Sequence, residues 1–224
     1  MEFLLVASIL FLVTHLGISS TPLRGMLMNG LGESSYLAIY SFLAAVTIGV
    51  LIYAYSHISH GMFLWMPGIP EHAFAKALMP FAFILLVGGL MAKNPTAVRA
   101  DAAINEPLDG MLKIVRHPVQ WAILIWAVGH IVANGDKASI VFFGSFAILS
   151  SVGMIAMDAK RRHRPEPEWQ SFYASTSYWP FAALISGRTS LKSGDINWLA
   201  VGIAIVLFVV VYIFHKWIAG VALY

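Results

Sequence analysis

Six apolar stretches dominate the chain, at about 3–20, 36–56, 74–92, 118–134, 138–158 and 197–218. Each is near the roughly 20 residues that a helix needs to cross a hydrocarbon core of about 30 Å. A shorter apolar piece at about 178–187, within "SYWPFAALISG", cannot span. It reads as an interfacial or re-entrant segment with Tyr178 and Trp179 at headgroup depth. The pattern predicts an all-α polytopic transmembrane helix bundle of about six spans, forming a single domain over residues 1–224. Local signals sharpen the fourth span. Pro118 suits a first helical turn, where its missing N–H is not needed. Asn134-Gly135 ends the helix with a left-handed cap.

Composition agrees. Of 224 residues, 59% are hydrophobic and only 11% charged, against roughly 25% charged in an average soluble domain. The absence of cysteine excludes disulfides, thiolate metal sites, cysteine nucleophiles and covalently attached haem, while noncovalent haem on histidines stays allowed. The opening "MEFLLVASIL" carries Glu2 where a signal peptide has Lys or Arg, so it is expected to be a retained first helix.

Charge then gives an orientation. Arg24 follows the first span. Lys93, Arg99, Lys113 and Arg116 follow the third, and Lys160, Arg161, Arg162, Arg164, Arg188 and Lys192 follow the fifth. The opposite side has Lys137 and Lys216, with Lys76 at its edge. The rich side is expected to be cytoplasmic. Both termini then lie on the outer side, the periplasm in a bacterial inner membrane. The net charge of +3 is this bias and does not point to nucleic acid.

Two histidines fall inside spans, where ionisable groups are costly and turn toward the bundle interior. On a regular helix His130 shares a face with Trp126 and Asn134, and His15 with Ser8, Phe11, Leu12 and Ser19. Facing histidines on two helices are how bundles hold a cofactor, and haem iron accepts imidazole from both sides. Zinc wants three or four ligands, and no buried carboxylates complete such a set. At 1.5 Å per residue each lies about 20 Å from opposite ends of its span, an offset of roughly 9 Å. That mismatch keeps a second pair open as metal ligands, His57 and His60 of "HISH", whose i, i+3 spacing would put both on one helical face. Arg24, Arg116 and Arg188 fall on one side and could form a carboxylate clamp. Asp158 is expected to pair with Arg161 and Arg162 along a helix surface. The glycines Gly88, Gly89, Gly144 and Gly153 suggest close helix packing. His72 and His163 read as loop residues, and His215 as a snorkelling side chain near the end of the last span.

The stretch "RHPVQWAILIWAVGHIVANGD" resembles the signature of the NnrU family, which includes the plant and cyanobacterial 15-cis-ζ-carotene isomerases. "HLGISSTPLR" is similar to the family's His-x3-Ser-x4-Arg pattern, here His15, Ser19 and Arg24. "LWMPG" resembles its Trp-plus-Pro turn, and "TSYWPFAALISGR" its Thr-Ser-x-x-Pro-Phe segment. The resemblance implies an integral membrane protein of nearly this whole length and, from the isomerase branch, haem b with His15 and His130 as axial ligands. Trp126 would pack on the porphyrin, with Arg24, Arg116 and Arg188 near the propionates. It implies a lipophilic small molecule as substrate, and membrane lipid as surroundings. The plant enzymes have a cysteine where this chain has Ala127, so a thiolate ligand switch is not available. The bacterial branch is named for nitrite and nitric oxide reductase gene clusters, which implies a denitrification-linked, non-catalytic regulatory protein as an alternative. "RHP", Arg116–Pro118, also resembles S-adenosylmethionine-dependent membrane methyltransferases, as "EWQSFY", Glu168–Tyr173, faintly does.

Overall fold

A computed structural model describes residues 1–18, 21–97 and 100–221. Ser19, Arg99 and Tyr224, which enter the expectations above, lie outside the described residues. The long helices are α1 (Glu2–Leu12), α2 (Leu23–Leu31), α3 (Glu33–Ser56), α4 (Ile69–Met91), α6 (Pro118–Asn134), α7 (Lys137–Arg161) and α10 (Trp198–Ala219). Short helices occupy the connections: α5 (Gly110–Ile114), α8 (Pro167–Ser175) and α9 (Ala182–Ile185). No strand forms among the described residues, only an isolated bridge between Phe63 and Asp136.

The chain is an all-α polytopic membrane protein. α3, α4, α7 and α10 are each long and apolar enough to cross a membrane. The first segment joins them if its two parts, bent by 73°, count as one span. α6 has 17 residues, about 25 Å of helix, slightly under the core thickness.

The first span differs from its expected shape. α1 buries Leu4, Ala7, Ser8 and Phe11, the stripe of a regular helix. Val13–Ile18 is then a π-helix with His15 inside it. The wider π-turn changes the phase of the helix, a distortion frequent at functional sites. Arg24, expected in a loop, is the second residue of α2. His72, also expected in a loop, lies in the first turn of α4.

Packing divides the chain into two compact units, which α6 and α7 both enter. Unit 1 is Met1–Ala75 with Ala127–Ala156; unit 2 is Lys76–Trp126 with Met157–Tyr224. In unit 1, α1 packs along α3, whose Leu51 and Ala54 are buried. In unit 2, one cluster joins Leu85, Val115 and Ala122, and another joins Leu112, Trp169 and Phe172. The glycine expectations divide. A Cβ on Gly89 would fall 2.8 Å from Pro118, so that close approach requires glycine, and one on Gly88 would collide with Met111. Gly144 and Gly153 have nothing within 4 Å of a Cβ among the described residues.

α6 starts at Pro118 and ends against Gly135, whose φ is +69°, as the sequence predicts. Asp136 then starts α7, its carboxylate accepting from the Ser139 amide at 3.0 Å in the manner of an N-cap.

Candidate functional site

Unit 1 holds both of the candidate axial histidines. His15 Nδ1 lies 2.8 Å from the Phe11 carbonyl. A carbonyl only accepts, so Nδ1 carries the proton and the lone pair of the neutral ring sits on Nε2. That is how metal-ligating histidines are commonly oriented. The His15 ring lies 4.4 Å from Phe11, Phe11 lies 5.0 Å from Phe146, and Phe146 lies 5.3 Å from Phe142. Phe142 meets Phe143 at 5.0 Å, and Phe143 lies 4.7 Å from the His130 ring. The two histidines are therefore linked by one run of aromatic contacts, with Phe142, Phe143 and Phe146 on one side of α7.

The buried Ser8 hydroxyl, on α1 and two turns before His15, has no hydrogen-bond partner among the described residues. A buried, unpartnered polar atom is rare and marks a place for water or a ligand. Two imidazoles, one with its tautomer set, among aromatic rings of one unit are the donor type that haem iron accepts. Trp126, half-buried, precedes His130 by one turn of α6. Arg24, half-buried, lies in the same unit as the histidines.

The second histidine pair is arranged differently from its expected form. α3 ends at Ser56, so His57 and His60 do not share a helical face. His57 Nδ1 lies 2.9 Å from the Tyr53 carbonyl, and its ring stacks on Tyr53 at 4.1 Å. His60 Nδ1 faces Asp136 at 3.1 Å. The Ser139 hydroxyl donates to the other Asp136 oxygen, and Tyr55 donates to Ser139 at 2.8 Å. Burial pushes the Asp136 carboxyl up. The Ser139 hydroxyl and amide and His60 outweigh that, leaving it below the usual carboxylate range. No group of three or more metal-ligating His, Cys, Asp or Glu side chains occurs among the described residues.

Arg116 and Arg188 belong to unit 2, and their donors are engaged. Arg116 is buried. Its Nε donates to Thr176 Oγ1 at 2.9 Å, one terminal nitrogen pairs with Asp158, and the other reaches the Thr176 carbonyl at 3.2 Å. The guanidinium also lies 4.2 Å over the Tyr173 ring. Arg188 donates to the Ala174 and Thr176 carbonyls at 3.0 and 2.9 Å. These arginines clamp the end of α8. Asp158 is likewise not the helix-surface partner it was expected to be. It binds Arg116 and, at 2.8 Å, His117 Nε2, while Arg161 turns to Asp101.

Sequence reasoning passed over His117, which is 0% exposed. Burial lowers its pKa below the ordinary histidine value, and the Asp158 hydrogen bond only partly offsets this. Burial and Asp158 together push the Tyr173 hydroxyl up to about 12. Asn94 completes the cluster, its side-chain amide donating to the Arg116 carbonyl at 3.2 Å. Only the chain order "RHP" hinted at His117; its partner lies 41 positions away.

The chain is similar to the 15-cis-zeta-carotene isomerase, chloroplastic, of Zea mays, at 26% identity over 206 residues, covering 84% of this chain and 52% of the relative. It is 23% identical over 206 residues to the protein of the same name from Arabidopsis thaliana, with the same coverages. The chain thus spans about half the length of the curated relatives it matches. No solved structure matches it. The model of the NnrU family, described as "NnrU protein", matches residues 3–223, and with four to five candidate spans and an α-only fold the chain belongs to the NnrU family.

Proposed function

We propose that this protein binds haem b between His15 and His130 and acts as a cis–trans isomerase on a lipid-borne polyene of the carotenoid type. The observation that carries the reading is the run of aromatic contacts joining the two histidines within unit 1, with His15 held in the tautomer that ligates through Nε2. The family and the names of the two relatives support the substrate class. Haem iron, when bound, would supply a centre able to act on a double bond.

The rest is the work of this chain's own side chains. The Phe11 carbonyl orients His15, and Phe143 packs on His130. Neutral imidazoles serve as ligands and are also the form that is cheaper to keep in a membrane. Trp126 would line the ring face. Arg24 is the remaining cation for a propionate, since Arg116 and Arg188 are engaged at Thr176. The phenylalanines of α7 would keep water from the site and offer apolar walls to a polyene. With Ala127 in place of a thiol, His15 and His130 are the side chains that would hold the iron.

The methyltransferase reading needs the "RHP" side chains to face a ligand. Arg116 and His117 instead turn inward onto Asp158 and Thr176, which disfavours it. The non-catalytic regulatory reading uses the same histidines and differs only in turnover.

Protein produced with adequate haem is expected to show the Soret band of a six-coordinate, low-spin iron. His15→Ala and His130→Ala should each lose it or become high-spin, and His72→Ala should not. Loss with His57→Ala or His60→Ala instead would move the site to that pair. Retained haem with no change in a cis-polyene would favour regulation. A rise in melting temperature with S-adenosylmethionine, and no haem, would overturn the proposal. The charge bias supports an orientation with both termini on the periplasmic side of a bacterial inner membrane. An active cytoplasmic reporter fused after Tyr224 would refute that.

A further inference from the structure

The connection between α3 and α4 exposes apolar side chains where no helix explains them. Met62, Phe63, Leu64, Trp65 and Met66 all face outward, Met66 at 75%, and Ile69, the first residue of α4, follows at 86%. Their backbone is nonetheless fixed. Leu64 N–H donates to the Gly135 carbonyl at 2.8 Å, and Lys137 N–H to the Met62 carbonyl at 2.9 Å. Phe63 bridges to Asp136. Trp65 Nε1–H reaches the Val132 carbonyl at 3.0 Å. The fit is tight enough that a side chain on Gly135 would collide with Trp65. This is a pinned finger with an apolar tip.

We infer that residues 62–69 insert into the bilayer, their side chains lying among lipid acyl chains next to the headgroups. Three observations select lipid as the occupant. The finger joins two helices of 24 and 23 residues, each just over the length of a span, so it starts and ends at the membrane boundary. Exposed apolar side chains also occur on the adjoining ends of the two helices, at Ile52 and Tyr53 of α3 and Phe74 of α4. A contiguous exposed apolar patch of this kind marks an interaction surface, and a tryptophan with its N–H satisfied suits the interfacial belt. The consequence reaches α6. Val132 is two residues past His130, so seating the finger in lipid steadies the end of the helix that carries that histidine.

The chain has no cysteine, so single spin labels can be placed without background. Met66→Cys and Ile69→Cys, with Ser59→Cys in the polar stretch before the finger as control, are labelled in the full chain and reconstituted in phosphatidylcholine nanodiscs. Helix content by circular dichroism checks that each variant is folded. Labels at 66 and 69 are expected to collide with oxygen several-fold more, relative to a water-soluble nickel chelate, than the label at 59. Nickel access at 66 and 69 equal to that at 59 would overturn the inference. So would protection from both reagents, with dipolar broadening in the case of a second copy and without it for another protein. None of these outcomes depends on haem or isomerisation, so the inference and the proposed function fail separately.

Discussion

His117 immediately precedes α6 and belongs to unit 2; His130 lies near the far end of the same helix and belongs to unit 1. His117 is sealed in a polar cluster where Asp158 takes its Nε2, Thr96 Oγ1 lies 3.4 Å from its Nδ1, Arg116 pairs with the same carboxylate, and Tyr173 and Thr176 hold Asp158 and Arg116. His130 rests on Phe143, in a run of rings that reaches His15. A histidine held by a carboxylate and neighbouring cations is part of the framework. A histidine placed among aromatic rings, linked through them to another whose tautomer is set by a backbone carbonyl, is the one proposed to ligate. Cluster composition separates the two roles better than burial does.

The largest effect expected on this contrast comes from Asp158→Ala. It leaves Arg116, which is buried, without its counter-ion and His117 without its acceptor. Removing one partner of such a pair costs about 3–5 kcal/mol. Denaturant unfolding in detergent should show that loss, while the folded fraction keeps its haem spectrum. His130→Ala should do the reverse, erasing the spectrum at a smaller cost in stability. If Asp158→Ala abolishes the spectrum in protein that is still folded, the two regions are not separate in function.

Which parts of this were legible in the sequence follows from how local each one is. Pro118 and Gly135 bound α6 as read, because capping is a property of a few adjacent residues. Span positions were legible for the same reason, since hydropathy accumulates along the chain. The π-turn at Val13–Ile18 was not, because one widened turn leaves the apolar count unchanged. The Asp158 partnership was misread because Arg161 and Arg162 lie at helical spacing, while Arg116 and His117 meet it only through tertiary packing. The helical face proposed for His57 and His60 failed on one boundary, Ser56, where α3 stops. The family signature picked out His15 and His130, and it gave no sign of the phenylalanine run between them.

A smaller effect should appear with pH. The folded pKa of His117 lies below the ordinary value near 6.5, because burial disfavours its charged form more than Asp158 favours it. As pH falls through 6.5 the unfolded chain takes up this proton first, so stability should fall. The slope is at most about 1.4 kcal/mol per pH unit, and it levels off once pH passes the folded pKa. Arg116 and Arg161 also act against the imidazolium. His117→Gln should flatten this part of a stability–pH profile. A profile that stays equally steep would assign the slope to another histidine and weaken the account of His117 as a buried neutral ring.

The smallest effect expected is from Tyr173→Phe, and it tests which contact holds the unit 2 cluster together. The Tyr173 hydroxyl donates to Asp158 over 3.3 Å, at the long end for such a bond. Its ring lies under the Arg116 guanidinium at 4.2 Å, and phenylalanine keeps that cation–π contact. Asp158 keeps both Arg116 and His117, so no charge is stranded. The expected cost is that of one modest hydrogen bond, about 0.5–1.5 kcal/mol, with no change in the haem spectrum. Thermal unfolding beside Asp158→Ala makes the comparison direct. A loss as large as that of Asp158→Ala would mean that the phenol, rather than the Arg116–Asp158 pair, is the keystone of the cluster. A negligible loss would leave the pair and the His117 bond as the contacts that keep unit 2 closed.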